Sequence, residues 1–253
     1  MGLLLRFSSC FLSLMVLFPA LCTSQDTFVS SRATYFGSPD CLGNPRGACG
    51  YAEYGRTVYD GNVGATSKLW KYGAGCGACY QVRCKIPQKC TDEGVIIVIT
   101  DHGASDNADL ILSASAFAKL SRPNTALELL AYGVVDIEYK RVPCQYPGYN
   151  LMAKVHEHSK FPEYLAIVFI YQAGSYDILA VEFWQEDCKE WRPMRRAYGT
   201  VWDTTNPPRT ALTVRCQIIS AGAADGVKWV QLNDVVPSEW KAGVAYDTAV
   251  QFN

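Results

Sequence analysis

Charge is scarce in this chain. Lysine, arginine, aspartate and glutamate make up 19% of its 253 residues, and the net charge is -1. With no overall basic field, nucleic acid is excluded as a partner. Histidine is scarcer still, with three residues, His102, His156 and His158. There is no Asn-X-Ser/Thr sequon, no internal repeat and no low-complexity tract. Past residue 25 no apolar run is long enough to span a bilayer, so no membrane partner is expected there. Nothing in the sequence calls for a cofactor.

What is present begins with residues 1–24. Arg6 is the only charge before Asp26, apolar residues dominate 11–21, and small residues follow at Ala20, Cys22, Thr23 and Ser24. This is the pattern of a secretory signal peptide, with cleavage between Cys22 and Asp26. The apolar core is too short for a membrane anchor. A secreted, soluble product of about 229 residues fits one large or two ordinary domains. Aromatics are plentiful, with 15 Tyr and 6 Trp. In a secreted protein they raise the expectation of carbohydrate contact, because a flat ring stacks on the apolar face of a sugar.

Nine of the 11 cysteines lie beyond the leader: Cys41, Cys49, Cys76, Cys79, Cys84, Cys90, Cys144, Cys188 and Cys216. The cluster Cys76-x2-Cys79-x4-Cys84-x5-Cys90 has a density that would read as zinc ligation in a reducing compartment. Behind a signal peptide it reads as a disulfide framework, and no metal is expected. The count is odd, so one thiol is left over.

The first half alternates short strand-like runs with Gly-rich turns, as in "YGAGCGACYQVRC" and "GVIIVITD". Turns at such intervals favour a small β-barrel. One helix interrupts, with Ser113 capping "ASAFAKLS" and Arg122-Pro123 stopping it. "QYPGYN" (145–150) marks a boundary, giving domains over 25–147 and 148–253. The second half is strand after strand. "YLAIVFIYQAGSYDILAVEFWQ" reads as two buried strands around an Ala-Gly-Ser turn, and the whole fits a β-sandwich.

The succession "ATYFGSPD", "GACGY", "GAGCGACYQVRC", "VITD", "YGVVDIEYKRVPC", "YLAIVFIYQAG", "WRPMRRAYGTVW" and "VPSEWKAGVAYD" resembles the plant expansins, closest to their expansin-like B group. The resemblance covers nearly all of the chain past the leader. It implies an all-β protein: a double-psi β-barrel similar to family-45 glycoside hydrolases, then an immunoglobulin-like β-sandwich carbohydrate-binding module. It also implies the pairs Cys49–Cys76, Cys79–Cys144 and Cys84–Cys90. Cys188 with Cys216 is the remaining pairing we expect, leaving Cys41 free.

The stretch "VITDHGASDNADLILS" (98–113) bears on catalysis. Inverting glycoside hydrolysis needs a general acid and a general base about 6.5–9.5 Å apart. Resemblance implies one aspartate at Asp101. Counted without gaps, a second motif of the family falls on Asp109-Leu110-Ile111, putting Ile111 where an aspartate is usual. A shifted alignment would give Asp109 that role. Gly103 stands where a tyrosine is usual, and Thr34 is retained. Asp101, Thr34 and Asp109 are therefore vestigial catalytic candidates, and no enzyme activity is expected. Asp106 and His102 read as solvated loop residues. His156-Glu157-His158 reads as a surface strand rather than a metal site.

For binding, resemblance points to Tyr164 and Tyr198. Trp202 and Trp191 lie close in sequence, and Tyr35 and Phe36 would extend the row. Trp184, Trp229 and Trp240 are expected in the core. Arg192, Arg195 and Arg196 would steer the module toward acidic pectin. The expected protein is a monomer of the plant cell wall. It binds cellulose, xyloglucan or pectin and loosens the wall without hydrolysis. The alternatives are a weak endoglucanase using Asp101 and Asp109, or a binding and signalling module without loosening activity.

Overall fold

The structure, a computed structural model, describes residues 27–221 and 226–252. The expected signal peptide lies outside them. Six strands of the first half close into a barrel: β1 (Val29–Phe36), β2 (Val63–Ala65), β3 (Cys79–Cys84), β4 (Val95–Asp101), β5 (Leu110–Ser113) and β6 (Val134–Val142). Their order around the barrel is β1-β5-β2-β4-β3-β6. β1 runs parallel to β5 and β2 parallel to β4, and the other neighbours are antiparallel. This interleaved topology is the double-psi β-barrel. Alternation sets the faces: Val135, Ile137 and Tyr139 of β6 are buried, while Asp136, between Val135 and Ile137, is exposed. Ile97, Ile99, Leu110, Leu112 and Phe117 fill the interior.

Among the described residues three short α-helices decorate the barrel, α1 (Glu53–Thr57), α2 (Ala114–Lys119) and α3 (Ala126–Ala131). Ser113 caps α2 as the sequence suggests, its hydroxyl accepting from the Ala116 N–H at 3.2 Å. Helix α3 follows the Arg122-Pro123 break and was not foreseen; six residues with Leu129 as their one buried side chain carry too little periodicity to stand out.

The three disulfides implied by resemblance are present: Cys49–Cys76, Cys79–Cys144 and Cys84–Cys90. The expected Cys188–Cys216 pair is not. Cys216 points between the sheets of the second domain and is fully buried, whereas Cys188 is exposed on a hairpin beyond a strand end. Cys41, Cys188 and Cys216 are all free.

The second half forms two sheets. One contains β7 (Met152–Val155), β8 (Tyr164–Ile170), β11 (Arg195–Tyr198), β12 (Val201–Thr205) and β15 (Ala245–Asp247). The other contains β9 (Tyr176–Gln185), β10 (Glu190–Pro193), β13 (Leu212–Ser220) and β14 (Val227–Val236). Their orders are β11-β12-β8-β7-β15 and β10-β9-β13-β14. Leu165, Ile167 and Phe169 of β8 meet Val181, Phe183, Val214 and Ile218 in one core. The Ala-Gly-Ser turn therefore does not make a hairpin; it carries the chain from one sheet to the other.

The two domains touch closely. Ala166, Val168, Ile170 and Val201, on the outer face of the five-stranded sheet, pack on Tyr51 and the Cys49–Cys76 bridge. At Gly73 an added Cβ would lie 2.0 Å from the Gly199 carbonyl oxygen, and at Gly199 one would lie 2.2 Å from that of Ala48. Only glycine allows the backbones to approach this far. Asp177, 5% exposed, accepts from Arg141 (3.0 Å) and Lys71 (2.8 Å) of the barrel.

Candidate functional site

β4 ends at Asp101, and parallel pairing with β2 sets Asp101 opposite Ala65. On the other side of β2, Ala65 is opposite Ile111 of β5. Asp101, Ala65 and Ile111 thus lie in one line across three strands and share a depression of about 420 Å³ with Phe36, Asn44 and His102. Asp101 Oδ1 accepts from the backbone N–H groups of Ala48 (2.6 Å) and His102 (2.8 Å), and Oδ2 from the Asn44 side chain (3.2 Å). This carboxylate holds the 44–48 loop against the strand end. Gly103 keeps the floor low: a Cβ there would already lie 3.1 Å from Ala65 and Ile111.

Asp109 is elsewhere. It lines a separate depression with Asp106 and Asp136. Its Oδ2 accepts from Ser31 (2.7 Å) and Lys68 (2.8 Å), and Lys68, then Ser31, hold its carboxyl below the usual range. Thr34 donates its hydroxyl to the Gly133 carbonyl (2.8 Å) and so holds the start of β6. Asp101 and Asp109 are not one constellation; Thr34, opposite Ile111 on β1, continues the line of Asp101 but commits its hydroxyl to Gly133. Ile111, not Asp109, lies across β2 from Asp101. His102 is exposed, its ring 5.0 Å from that of Trp70, an aromatic the sequence reading passed over.

At Pro45 the depression meets a second one of about 410 Å³, which crosses onto the sandwich and is lined by Arg46, Gly47, Glu53, His156, His158 and Tyr198. Tyr198 is 45% exposed, the most open aromatic along this groove. Its hydroxyl lies 3.0 Å from His156 Nε2. His156 Nδ1 accepts the His158 N–H at 3.2 Å, so a neutral ring carries its proton on Nε2 and donates to Tyr198. Burial, ahead of its charged neighbours, pushes the His156 pKa down. The expected surface strand is instead a turn, closed by Ser159 N–H to the His156 carbonyl (3.0 Å). Among the described residues no group of three or more His, Cys, Asp or Glu side chains could hold a metal ion.

Tyr164, at the start of β8, is half-buried and donates to Asp203 Oδ2 (2.8 Å). Asp203, 4% exposed, is also gripped by both arms of Arg195 (2.9 and 2.6 Å). Arg195 first, then burial and Tyr164, act on the Asp203 carboxyl, and the net effect is a lowered pKa.

Several expected platform residues are elsewhere. Trp202 is 3% exposed because strand alternation turns it into the sandwich core, under the Arg196 guanidinium (4.1 Å). Tyr35 packs on Phe117 (4.9 Å between centroids) and donates to the Leu130 carbonyl, so it belongs to the barrel wall. Trp191 lies on β10, in the opposite sheet from Tyr164 and Tyr198. Phe36 does line the groove. Trp240 is core at 5% exposure, but Trp229 is 39% exposed and Trp184 half-buried, both on the outer face of the four-stranded sheet. The Arg192-to-Arg196 run is no uniform basic face: Arg192 pairs with Glu190, Arg195 with Asp203, and Arg196 donates to the carbonyls of Gly199 and Ile178.

Barrel and sandwich each match a family model. Residues 62–139 match a double-psi barrel model described as lytic transglycolase, and residues 151–237 match the expansin C-terminal domain. Among solved structures, the apo expansin of Clavibacter michiganensis aligns with a TM-score of 0.65 at 21% identity, over 90% of this chain and 98% of that one. A mutant of that expansin in complex with cellohexaose aligns with a TM-score of 0.65 at 19% identity, with the same coverage. These two show the shared two-domain fold. Expansin-like B1 of Arabidopsis thaliana is 53% identical over 241 residues, 95% of either chain. Expansin-like B1 of Oryza sativa subsp. japonica is 42% identical, over 94% of this chain and 93% of the relative. The chain belongs to the expansin family, in its expansin-like B group.

Proposed function

We propose that this is a secreted wall protein that holds one polysaccharide chain along the groove from Asp101 to Tyr198 and loosens polymer contacts without cutting bonds. One observation carries the non-hydrolytic part: the position across Ala65 from Asp101 is Ile111, so the barrel depression is lined by one carboxylate where inversion needs two. That carboxylate is already committed to the 44–48 loop. Asp109 is charged and paired with Lys68 in another depression, which suits neither a proton donor to a glycosidic oxygen nor a partner of Asp101.

In this reading the sandwich supplies affinity and the barrel supplies shape. Tyr198 presents a ring to a sugar face, and Tyr164 sits in the same sheet, held by Asp203. Each stacked ring contributes on the order of 1 kcal/mol beyond area burial. Two such rings give a modest affinity, which lets the protein release and rebind as polymers slip. A boundary near residue 147 and export to the wall belong to the same proposal. The cellohexaose seen with the bacterial expansin supports a glucan as the first polymer to try.

The test pairs two assays on purified protein with amorphous cellulose and xyloglucan. Retention on the polymer is expected, with no release of reducing sugar. Sugar release that Asp101→Asn abolishes would overturn the reading in favour of an endoglucanase. Extension of inactivated wall strips under constant load then separates loosening from binding alone.

A further inference from the structure

The outer face of the four-stranded sheet points away from the barrel and carries an aromatic cluster that neither domain's core uses. Alternation along β9 sends Val181 and Phe183 into the core and Glu182 and Trp184 outward. Trp191 of β10 stands directly opposite Trp184, with ring centroids 5.4 Å apart. Arg215 of β13 stands opposite Glu182 and accepts its carboxylate as partner, donating from Nε at 2.7 Å. The Arg215 guanidinium lies 4.4 Å from the ring centroids of both Trp191 and Trp229, the latter on β14. Three indoles on three of the four strands thus form one surface, Trp191 and Trp229 bridged by Arg215 and Trp184 joined through Trp191. A solvent-facing sheet normally carries polar side chains at these positions. An exposed Trp229 and two half-buried indoles with no core to fill need another explanation.

The charges on this face say what it fits. Arg215 is neutralised by Glu182, and Arg192 by Glu190. Glu186, just past β9, is held by Lys189 and by the Trp184 indole N–H (2.7 Å). What remains exposed is ring surface and neutral amides: Gln231 lies opposite Arg215, and Gln217 opposite Trp229. Among the described residues the arginines of this face, Arg215 and Arg192, are both paired with glutamates, which disfavours an acidic polymer or a nucleic acid. A neutral sugar chain offers apolar C–H faces to indoles and hydroxyls to amides.

We infer that this face is a second binding surface for a neutral, unbranched polysaccharide, so that one molecule holds two chains on opposite sides of its sandwich. The inference rests on the proposed glucan groove, and it changes what the protein does there. A molecule with one chain in its groove and another on its far face bridges polymers, and slippage then occurs between two held chains.

Calorimetric titration with cellohexaose separates the two sites. Wild type is expected to take two equivalents. Trp191→Ala/Trp229→Ala should take one, and so should Tyr198→Ala; the triple variant should take none. The single variant Trp229→Ala, at the most exposed of the three rings, guards against misfolding and should weaken only the second site, about tenfold. A melting temperature held near wild type confirms that each variant is folded. One equivalent that Tyr198→Ala abolishes and the tryptophan variants leave intact overturns the second surface and leaves the groove standing. One equivalent lost only in the tryptophan variants does the reverse. No uptake by wild type overturns both.

Discussion

The two ends of the groove are built from opposite chemistry. At the barrel end the polar groups are satisfied by the protein itself: Asp101 takes hydrogen bonds from Ala48, His102 and Asn44, and the facing position is an isoleucine. At the sandwich end the protein anchors the hydroxyls of Tyr164 and Tyr198 and leaves much of the Tyr198 ring open. The first end has polar groups with partners already made, and the second has ring surface without one. A carboxylate at a strand end is therefore not evidence of catalysis until its hydrogen bonds are counted.

Breaking the alignment of the two ends should have the largest effect. Asp177→Ala removes the acceptor for Arg141, whose side chain is 6% exposed, and leaves a buried cation unpaired between the domains. A loss of about 3–5 kcal/mol in unfolding free energy is expected, measured by urea denaturation. A loss under 1 kcal/mol would mean that the apolar contact around Tyr51 and Val201 alone sets the interface.

The next test sharpens the sandwich end. Asp203→Ala leaves the half-buried Tyr164 hydroxyl without its acceptor and should cost about 1–3 kcal/mol. Because the folded state lowers the Asp203 pKa, its contribution is complete above the ordinary carboxylate range and disappears as pH falls through the lowered value. Wild type and variant should therefore converge in stability in strong acid. His156 acts higher on the pH scale. Burial lowers its pKa, so the unfolded chain takes up the proton first as pH drops below about 6.5, and the fold loses stability until the lowered value is passed. His156→Gln should remove that slope between neutral pH and the carboxylate range.

The third test weighs the ends directly. Tyr198→Ala should reduce retention on insoluble glucan by at least about fivefold, the loss of one stacked ring at ~1 kcal/mol, with little change in melting temperature. Asp101→Asn should leave retention unchanged. The reverse pattern would move the affinity into the barrel. The smallest effect is chemical: a thiol reagent should label Cys41 and Cys188 in the native protein and reach Cys216 only after denaturation. Burial in an apolar core raises the Cys216 pKa and keeps its thiol inert.

Much of this was legible in the chain because it depends on local pattern. Period-two alternation and Gly-rich turns marked the strands of both domains, and Ser113 marked its helix, since each signal needs only neighbours in sequence. Resemblance supplied the three barrel disulfides and the place of Asp101. The remaining features depend on pairs far apart in the chain. Whether Ile111 or Asp109 lies across β2 from Asp101 is decided by the register of β5 on β2. Trp191 and Trp202 stand 11 residues apart, yet one lies on the outer face of one sheet and the other in the shared core. Cys188 and Cys216 had the right count for a bridge but not the right place, because one lies beyond a strand end and the other faces inward from β13. The sequence by itself determined which residues alternate, cap and turn. Tertiary structure alone decided which face each alternation serves, because a strand's two faces are equivalent until another sheet or domain covers one of them.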